Sequence, residues 1–212
     1  MAGIERIQII SEWNDWRIKM SRELAPAADT ILFQSWADLE MPLKPGVEIV
    51  RCTKADAASR YDWREGVDCI LHFADGTKAT MQEKYLTFAV STATFEERKE
   101  PHTRPGAWYT CTAQYYWVGY ARKYKDNEPP VCEFQDWILI DFPQLQRLSK
   151  TTELPWRHRQ NQRDGCLNVF RFLNFDEIPP AVVVARHQEP HRQLTLDGMT
   201  PAERFGAIVG GW

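Results

Sequence analysis

Residues 62–84 read DWREGVDCILHFADGTKATMQEK, and the fold turns on how this stretch pairs with itself. Val67 to Phe73 has the length and texture of a strand, and Lys78 to Leu86 has the same. Between them, Asp75-Gly76 is a strong turn signal, because glycine accepts positive φ without a Cβ clash. The stretch therefore predicts an antiparallel hairpin. Asp68 opens its first strand, and Gln82 and Lys84, two residues apart on the second, fall on one face.

Upstream of the hairpin, Ile4, Ile7, Ile10, Trp13, Trp16 and Met20 recur at steps of three and four, the spacing of one helical face. Pro26 is expected to end that helix or start a second one over Ala27 to Leu39, and MPLKPG (41–46) then breaks the helical pattern. Val47 to Cys52 is a short strand candidate, followed by a polar loop through Arg64. Downstream, Thr94 to Glu100 is charged and reads as a short helix or a solvated loop. Trp108 to Arg122 reads as one long strand or two short ones, and Phe134 to Ile140 as a buried strand running into a short helix at QLQRLS (144–149). Residues 150–165 read as loop, and Leu167 to Leu173 and Ala181 to Ala185 as late strands. Thr200-Pro201-Ala202-Glu203 has the form of a capping box and predicts a C-terminal helix. The expectation is an α/β (α+β) fold in one domain over 1–212: N-terminal helices, then a mixed central sheet with flanking helices. Its core spans about 27–148, and a basic strand-helix extension about 150–212.

Composition sets the outer limits. Hydrophobic residues make up 43% and charged residues 26%, so a globular core is available and wholesale disorder is excluded. The net charge of −3 excludes a protein that coats DNA along its whole surface, yet leaves room for a positive groove. No apolar run approaches the roughly 18 residues of a membrane span, and the N-terminus has no signal-peptide pattern, so an intracellular, cytoplasmic protein without membrane contact is expected. Five cysteines without a CxxC pair argue against a zinc knuckle or a disulfide framework. Of the five histidines only His187 and His191 have i, i+4 spacing, and Pro190 between them opposes the helix that would align them. No Gly-rich phosphate loop of the ATPase or dinucleotide type is present.

The chemistry rests on Asp68, Gln82 and Lys84. A carboxylate and a side-chain carbonyl suit Mg²⁺, a hard ion that takes oxygen ligands, with Mn²⁺ as a substitute. A nearby ammonium can position a water or offset charge that grows on a phosphate. With its third-strand sequence Gln82-Glu83-Lys84 placed fourteen positions after Asp68, the chain resembles the PD-(D/E)XK nuclease superfamily, the restriction-endonuclease-like fold. Gln82 stands where the commoner motif has an acid, as in the Q-x-K variant of Mrr-like and certain homing endonucleases. The resemblance covers residues 27–90. It implies a Mg²⁺-dependent endonuclease that hydrolyses DNA phosphodiester bonds, with Asp68, Gln82 and Lys84 catalytic. The metal would lie on Asp68, Gln82 and the backbone carbonyl of Glu83. It further implies a homodimer and an additional acid from the first helix, for which Glu23, Asp29, Asp38 and Glu40 are candidates.

Other readings stand beside this one. Asp62 competes with Asp68 for the metal role, although Gly66-Val67 makes Asp68 the better start of a strand. Asp68 can equally cap a turn, and Lys84 can be an ordinary solvated strand residue. A catalytically inactive module that kept the shape to bind nucleic acid or serve in an assembly is compatible with the uncharged Gln82. Arg157, Arg159, Arg163, Arg186 and Arg192 make the last third locally basic and are the candidate phosphate contacts to DNA.

Overall fold

The protein is described by a computed structural model covering residues 2–47, 49–51, 66–86, 91–99, 104–122, 133–163 and 166–188, with side chains for all of these but 2–18, 50, 99 and 161–167. Asp62, Arg192, His191 and the C-terminal capping sequence at Thr200 lie outside the described residues.

The chain begins with one helix, α1 (Ala2–Asp38), rather than the expected two. Pro26 lies inside it and on its exposed side. A proline there removes one backbone hydrogen bond. The compensation comes from packing, because Met20, Leu24, Ala28, Leu32 and Trp36 form a stripe at steps of four that runs past the proline and is buried throughout. Thr30 Oγ1 also donates to the Pro26 carbonyl at 3.0 Å.

The stripe lies on a mixed sheet of six strands: β1 (Val50–Arg51), β2 (Cys69–His72), β3 (Lys78–Leu86), then, further along the chain, β6 (Tyr115–Ala121), β7 (Phe134–Asp141) and β10 (Val183–Gln188), in that spatial order. The hairpin forms where the sequence places it, with Cys69 opposite Met81 and Gly76 at φ +89° in the turn. Strand β6 runs parallel to β3, with Gln82 beside Tyr116 and Lys84 beside Val118. A parallel neighbour requires a crossover. Here the crossover is made by β4 (Thr92–Lys99), β5 (Arg104–Pro105) and the short helix α2 (Ala107–Thr110). The segment expected to be helix or loop at Thr94 is thus a strand whose first half is buried: Ala93, Thr94 and Phe95 are all inside.

Strand β4 belongs to a second, antiparallel sheet with β8 (Arg157–Arg163) and β9 (Cys166–Asn174), in the order β5-β4-β9-β8. The expected loop over 150–165 therefore contains an edge strand. Its sequence RHRQNQR has no apolar alternation, because an edge strand needs little burial of its own when its neighbour β9 supplies the pairing. Helix α3 (Phe142–Thr151) follows β7 directly, started by the Asp141 side chain accepting from Gln144 N–H at 2.9 Å. Among the described residues α2 and α3 are the only α-helices besides α1, fewer than the flanking set expected.

Two cores result, one on each face of the six-stranded sheet. Trp36 packs edge-on to Phe73 and Tyr115 in the core beneath α1. On the opposite face Phe95, Trp108, Tyr116 and Phe142 stack in a second core shared with β4, α2 and α3. Gly106 is needed where the chain leaves β5 alongside β4, since a Cβ there would lie 2.3 Å from the Glu96 carbonyl oxygen. The architecture is α+β.

Candidate active site

Three of the residues singled out from sequence meet on the sheet face turned away from α1. Asp68 precedes β2, and its N–H still pairs with the Met81 carbonyl at 2.9 Å, which carries the hairpin register one residue further and sets Asp68 opposite Gln82. The Asp68 carboxylate accepts from the Gln82 side-chain amide and from the Glu83 backbone N–H, the latter at 2.9 Å. The same Gln82 amide donates to the Glu83 carbonyl at 3.2 Å. An NH₂ group is thus held between a carboxylate from one strand and a carbonyl from the next.

Lys84 shares this face. Its Nζ donates to the Thr94 carbonyl at 3.2 Å and lies 5.8 Å from the centroid of the Phe170 ring. Beyond the pairing of β5 at Arg98 and Lys99, strand β4 presents an edge to the face of the six-stranded sheet. Side chains rather than a neighbouring strand meet its carbonyls there. Tyr116 donates to Thr94 at 3.3 Å, and Tyr120 to Thr92 at 2.8 Å. An unmet buried carbonyl would cost about 1–3 kcal/mol, so Lys84 and the two tyrosines also join the sheets. Burial, followed by the nearby Cys111, Asp68 and Glu96, raises the Tyr116 hydroxyl well above its ordinary range. Burial pushes the Cys111 thiol up to about 11, so it stays protonated near neutrality.

The Glu83 side chain points the other way, as strand alternation demands. It is buried on the α1 face, where Arg51 donates to both its oxygens at 2.9 Å. Arg51 also holds Asp29 with bonds of 2.7 and 3.2 Å and reaches the Tyr85 hydroxyl at 3.3 Å. Burial opposes the Arg51 charge, but Asp29 and Glu83 outweigh it and raise its pKa further above the physiological range. Burial raises the pKa of Glu83, with Arg51 pulling against it. This network ties α1 and β1 to β3 at the residue whose backbone N–H donates to Asp68.

The acids considered on the first helix go elsewhere. Asp29 is engaged by Arg51, Asp38 accepts from Gln34 at 2.6 Å, Glu23 lies 4.0 Å from Lys19, and Glu40 sits exposed at φ 58° in the turn after α1. The arginines divide as well. Arg157, Arg159 and Arg163 occupy alternate positions of β8, whereas Arg186 is on β10 and donates to the Phe175 carbonyl at 3.3 Å. Arg157 forms a two-pronged pair with Glu177 at 2.5 and 2.6 Å. Arg159 is directly opposite Phe170, so it lies on the side of the second sheet that carries the Lys84 contact.

The oxygens available for a cation are the Asp68 carboxylate, the Gln82 side-chain carbonyl and the Glu83 backbone carbonyl. All are hard donors of the kind Mg²⁺ and Mn²⁺ take. The Gln82 NH₂ stands in for an electropositive group on two of them. Asp68 is the one anion of that trio. Among the described residues no group of three or more His, Cys, Asp or Glu side chains could hold a metal. The residues fit a weakly held divalent ion with part of its shell left to water and substrate.

The sequence reading missed Thr94, Tyr116 and Phe170, all close to Lys84. The signal for Thr94 was the alternation in Thr92-Ala-Thr-Phe95, masked by the charged Glu96 to Lys99 that follows. No protein-family model matches the chain, and no match was found among curated proteins or solved structures.

Proposed function

We propose that the protein is a divalent-metal-dependent endonuclease hydrolysing DNA phosphodiester bonds, built on a restriction-endonuclease-like core of α1, β1, β2 and β3. The observation that carries this reading is the convergence of Asp68, the Gln82 amide and the Glu83 carbonyl, with Lys84 on the same sheet face. Asp68, Gln82 and Glu83 would hold Mg²⁺, which when bound polarises the phosphate and acidifies water. Asp68 and the Glu83 carbonyl orient the attacking side of the site. The Lys84 ammonium, already turned toward an oxygen, offsets the negative charge that grows on the phosphate oxygens in the transition state. Water supplies the new P–O bond, one ester P–O bond breaks, and the water proton ends on the leaving alkoxide.

A second reading has its own support. Gln82 donates to Asp68, and Lys84 to the main chain of β4, so the same residues also serve as joints in a module that binds nucleic acid without cutting it. A Mg²⁺ or Mn²⁺ titration of duplex cleavage separates the two. The parent protein is expected to nick or cut DNA only with metal present, and Asp68→Ala to fold normally and lose that activity. Metal-independent binding without cleavage favours the second reading, and an active Asp68→Ala overturns the assignment of the site.

A further inference from the structure

The Gln82 position leaves the site with one formal anion, and β4, a strand outside the hairpin, carries an acid two residues beyond the carbonyl that Lys84 meets. We infer that Glu96 of β4 is the second acidic ligand of the divalent-cation site, acting with Asp68 across the junction of the two sheets. The inference rests on the metal-dependent reading above and deepens it.

Three placements converge on Glu96. The first is along β4. Thr94 and Glu96 are two residues apart, so they share a side of the strand about 6–7 Å from one another, and the Thr94 carbonyl is where Lys84 Nζ lands, at 3.2 Å. The second is across the sheet. Glu96 is directly opposite Phe170, which puts both side chains on one face, and the Phe170 ring lies 5.8 Å from the same Lys84 nitrogen. The Lys84 ammonium is thus bracketed by the residue two before Glu96 and the residue facing it. The third runs through β6. Tyr116 lies beside Gln82 in the sheet and donates to the Thr94 carbonyl at 3.3 Å. Burial raises the pKa of its hydroxyl most, followed by Cys111, and the charges of Asp68 and Glu96 add to it. Asp68, Gln82, Lys84 and Tyr116 lie on one face of the six-stranded sheet, and β4 brings Glu96 two residues beyond the carbonyl that Lys84 and Tyr116 meet.

The neighbouring acid provides a contrast. Glu97 faces the other side of β4, where Arg171 donates to it along with Tyr109 and where His158 Nε2 lies 3.4 Å away. Glu97 belongs to a structural cluster remote from the Lys84 side. The backbone at Glu96 is also held: Gly106 packs against its carbonyl so closely that no side chain fits there. That contact holds β4 against the chain leaving β5.

Two carboxylates attract a divalent cation far better than one, so the neutral amide at Gln82 need not leave the site short of charge. The test is a Mn²⁺ titration of the full-length protein without nucleic acid, followed by calorimetry and by the loss of the free-ion resonance signal. The parent is expected to bind Mn²⁺, and Glu96→Gln to bind at least about tenfold more weakly, the scale for losing a supporting metal contact. Glu97→Gln should leave the affinity unchanged. Equal affinity in the parent and Glu96→Gln overturns the inference and leaves the metal-dependent reading standing, even if that variant melts at a lower temperature. A parent that binds no Mn²⁺ overturns both. If Glu96→Gln does not fold, a Mn²⁺-soaked crystal of the parent decides. An ion within about 2.2 Å of oxygens of both Asp68 and Glu96 supports the inference, and an ion on Asp68 without Glu96 overturns it.

Discussion

At the scale of single residues, Gln82 and Lys84 each have a structural bond and a proposed chemical role, and substitutions pull the two apart. Gln82 donates to Asp68, so Gln82→Glu sets two carboxylates against each other where a hydrogen bond stood. With metal removed by chelator, that variant should be less stable than the parent, because like charges at contact distance cannot both ionise freely. Added Mg²⁺ should restore its melting temperature by more than it raises the parent's, and cleavage should be retained or increased. A chelator-treated Gln82→Glu protein with the parent's stability, indifferent to Mg²⁺, would mean that no cation sits between these groups. Lys84 donates to a carbonyl that Tyr116 also reaches, so Lys84→Met keeps the apolar stem and leaves Thr94 with a donor. The stability loss should be about 1 kcal/mol or less. The single-turnover cleavage rate should fall at least about a hundredfold, the scale of one lost electrostatic stabiliser, with duplex affinity nearly unchanged. Equal losses in rate and affinity would place Lys84 in ground-state binding instead.

Among the elements, the second sheet has an acid-sensitive joint. Glu97 of β4 and Arg171 of β9 are hydrogen-bonded, and Arg171 lies over Trp108 and Trp156 with 4.8 and 5.2 Å to the ring centroids. Burial alone would raise the Glu97 carboxyl, but its bonds to Arg171 prevail and lower it below the ordinary 4.5. A carboxylate whose pKa is lower in the folded chain adds stability above its unfolded value, and that stability is lost as pH falls through the folded value. Glu97→Gln should therefore cost about 1–3 kcal/mol at pH 7, the scale for a hydrogen bond to a charged group. The difference should shrink toward zero in urea melts carried below the carboxylate range. A gap that persists in acid would trace the loss to packing. The sequence hid this sheet for physical reasons. Strand β8 has no apolar period because it is an edge, and the charges of β4 at Glu96 and Glu97 serve two different faces, so neither shows the alternation of a half-buried strand. What could be read was local: the Asp75-Gly76 turn and the shared face of Gln82 and Lys84 both depend on neighbours in sequence. Pro26 was misleading because the helix it should have broken is held by a buried stripe on a distant sheet.

For the whole molecule, the question is which surface a DNA backbone would follow. The basic residues of the last third form one group in the sequence, but the two sheets divide them. Arg186 is on β10, three strands from β3, which is about 14 Å at ordinary strand spacing. Arg157 already has Glu177 as a two-pronged partner, so approaching phosphates gain little from it. Arg157 and Arg159, opposite Phe172 and Phe170, share the side of β9 that carries the Lys84 contact, and Arg159 is the one paired with Phe170 itself. A backbone passing the proposed cutting position would meet Arg159 first and lie along the β8 edge. Each phosphate neutralised releases counterions, so losing one such contact should lower the slope of log affinity against log salt by about 1. Arg159→Ala should show that change in titrations of one duplex across salt concentrations. Arg157→Ala and Arg186→Ala should keep the parent slope, and Arg157→Ala should change stability little, as expected of an exposed ion pair. If all three lower the slope alike, the backbone crosses both sheets rather than following β8. If the parent's affinity does not change with salt, charge is not what holds the DNA, and the face carrying Asp68 and Lys84 would have to grip its substrate through the bases.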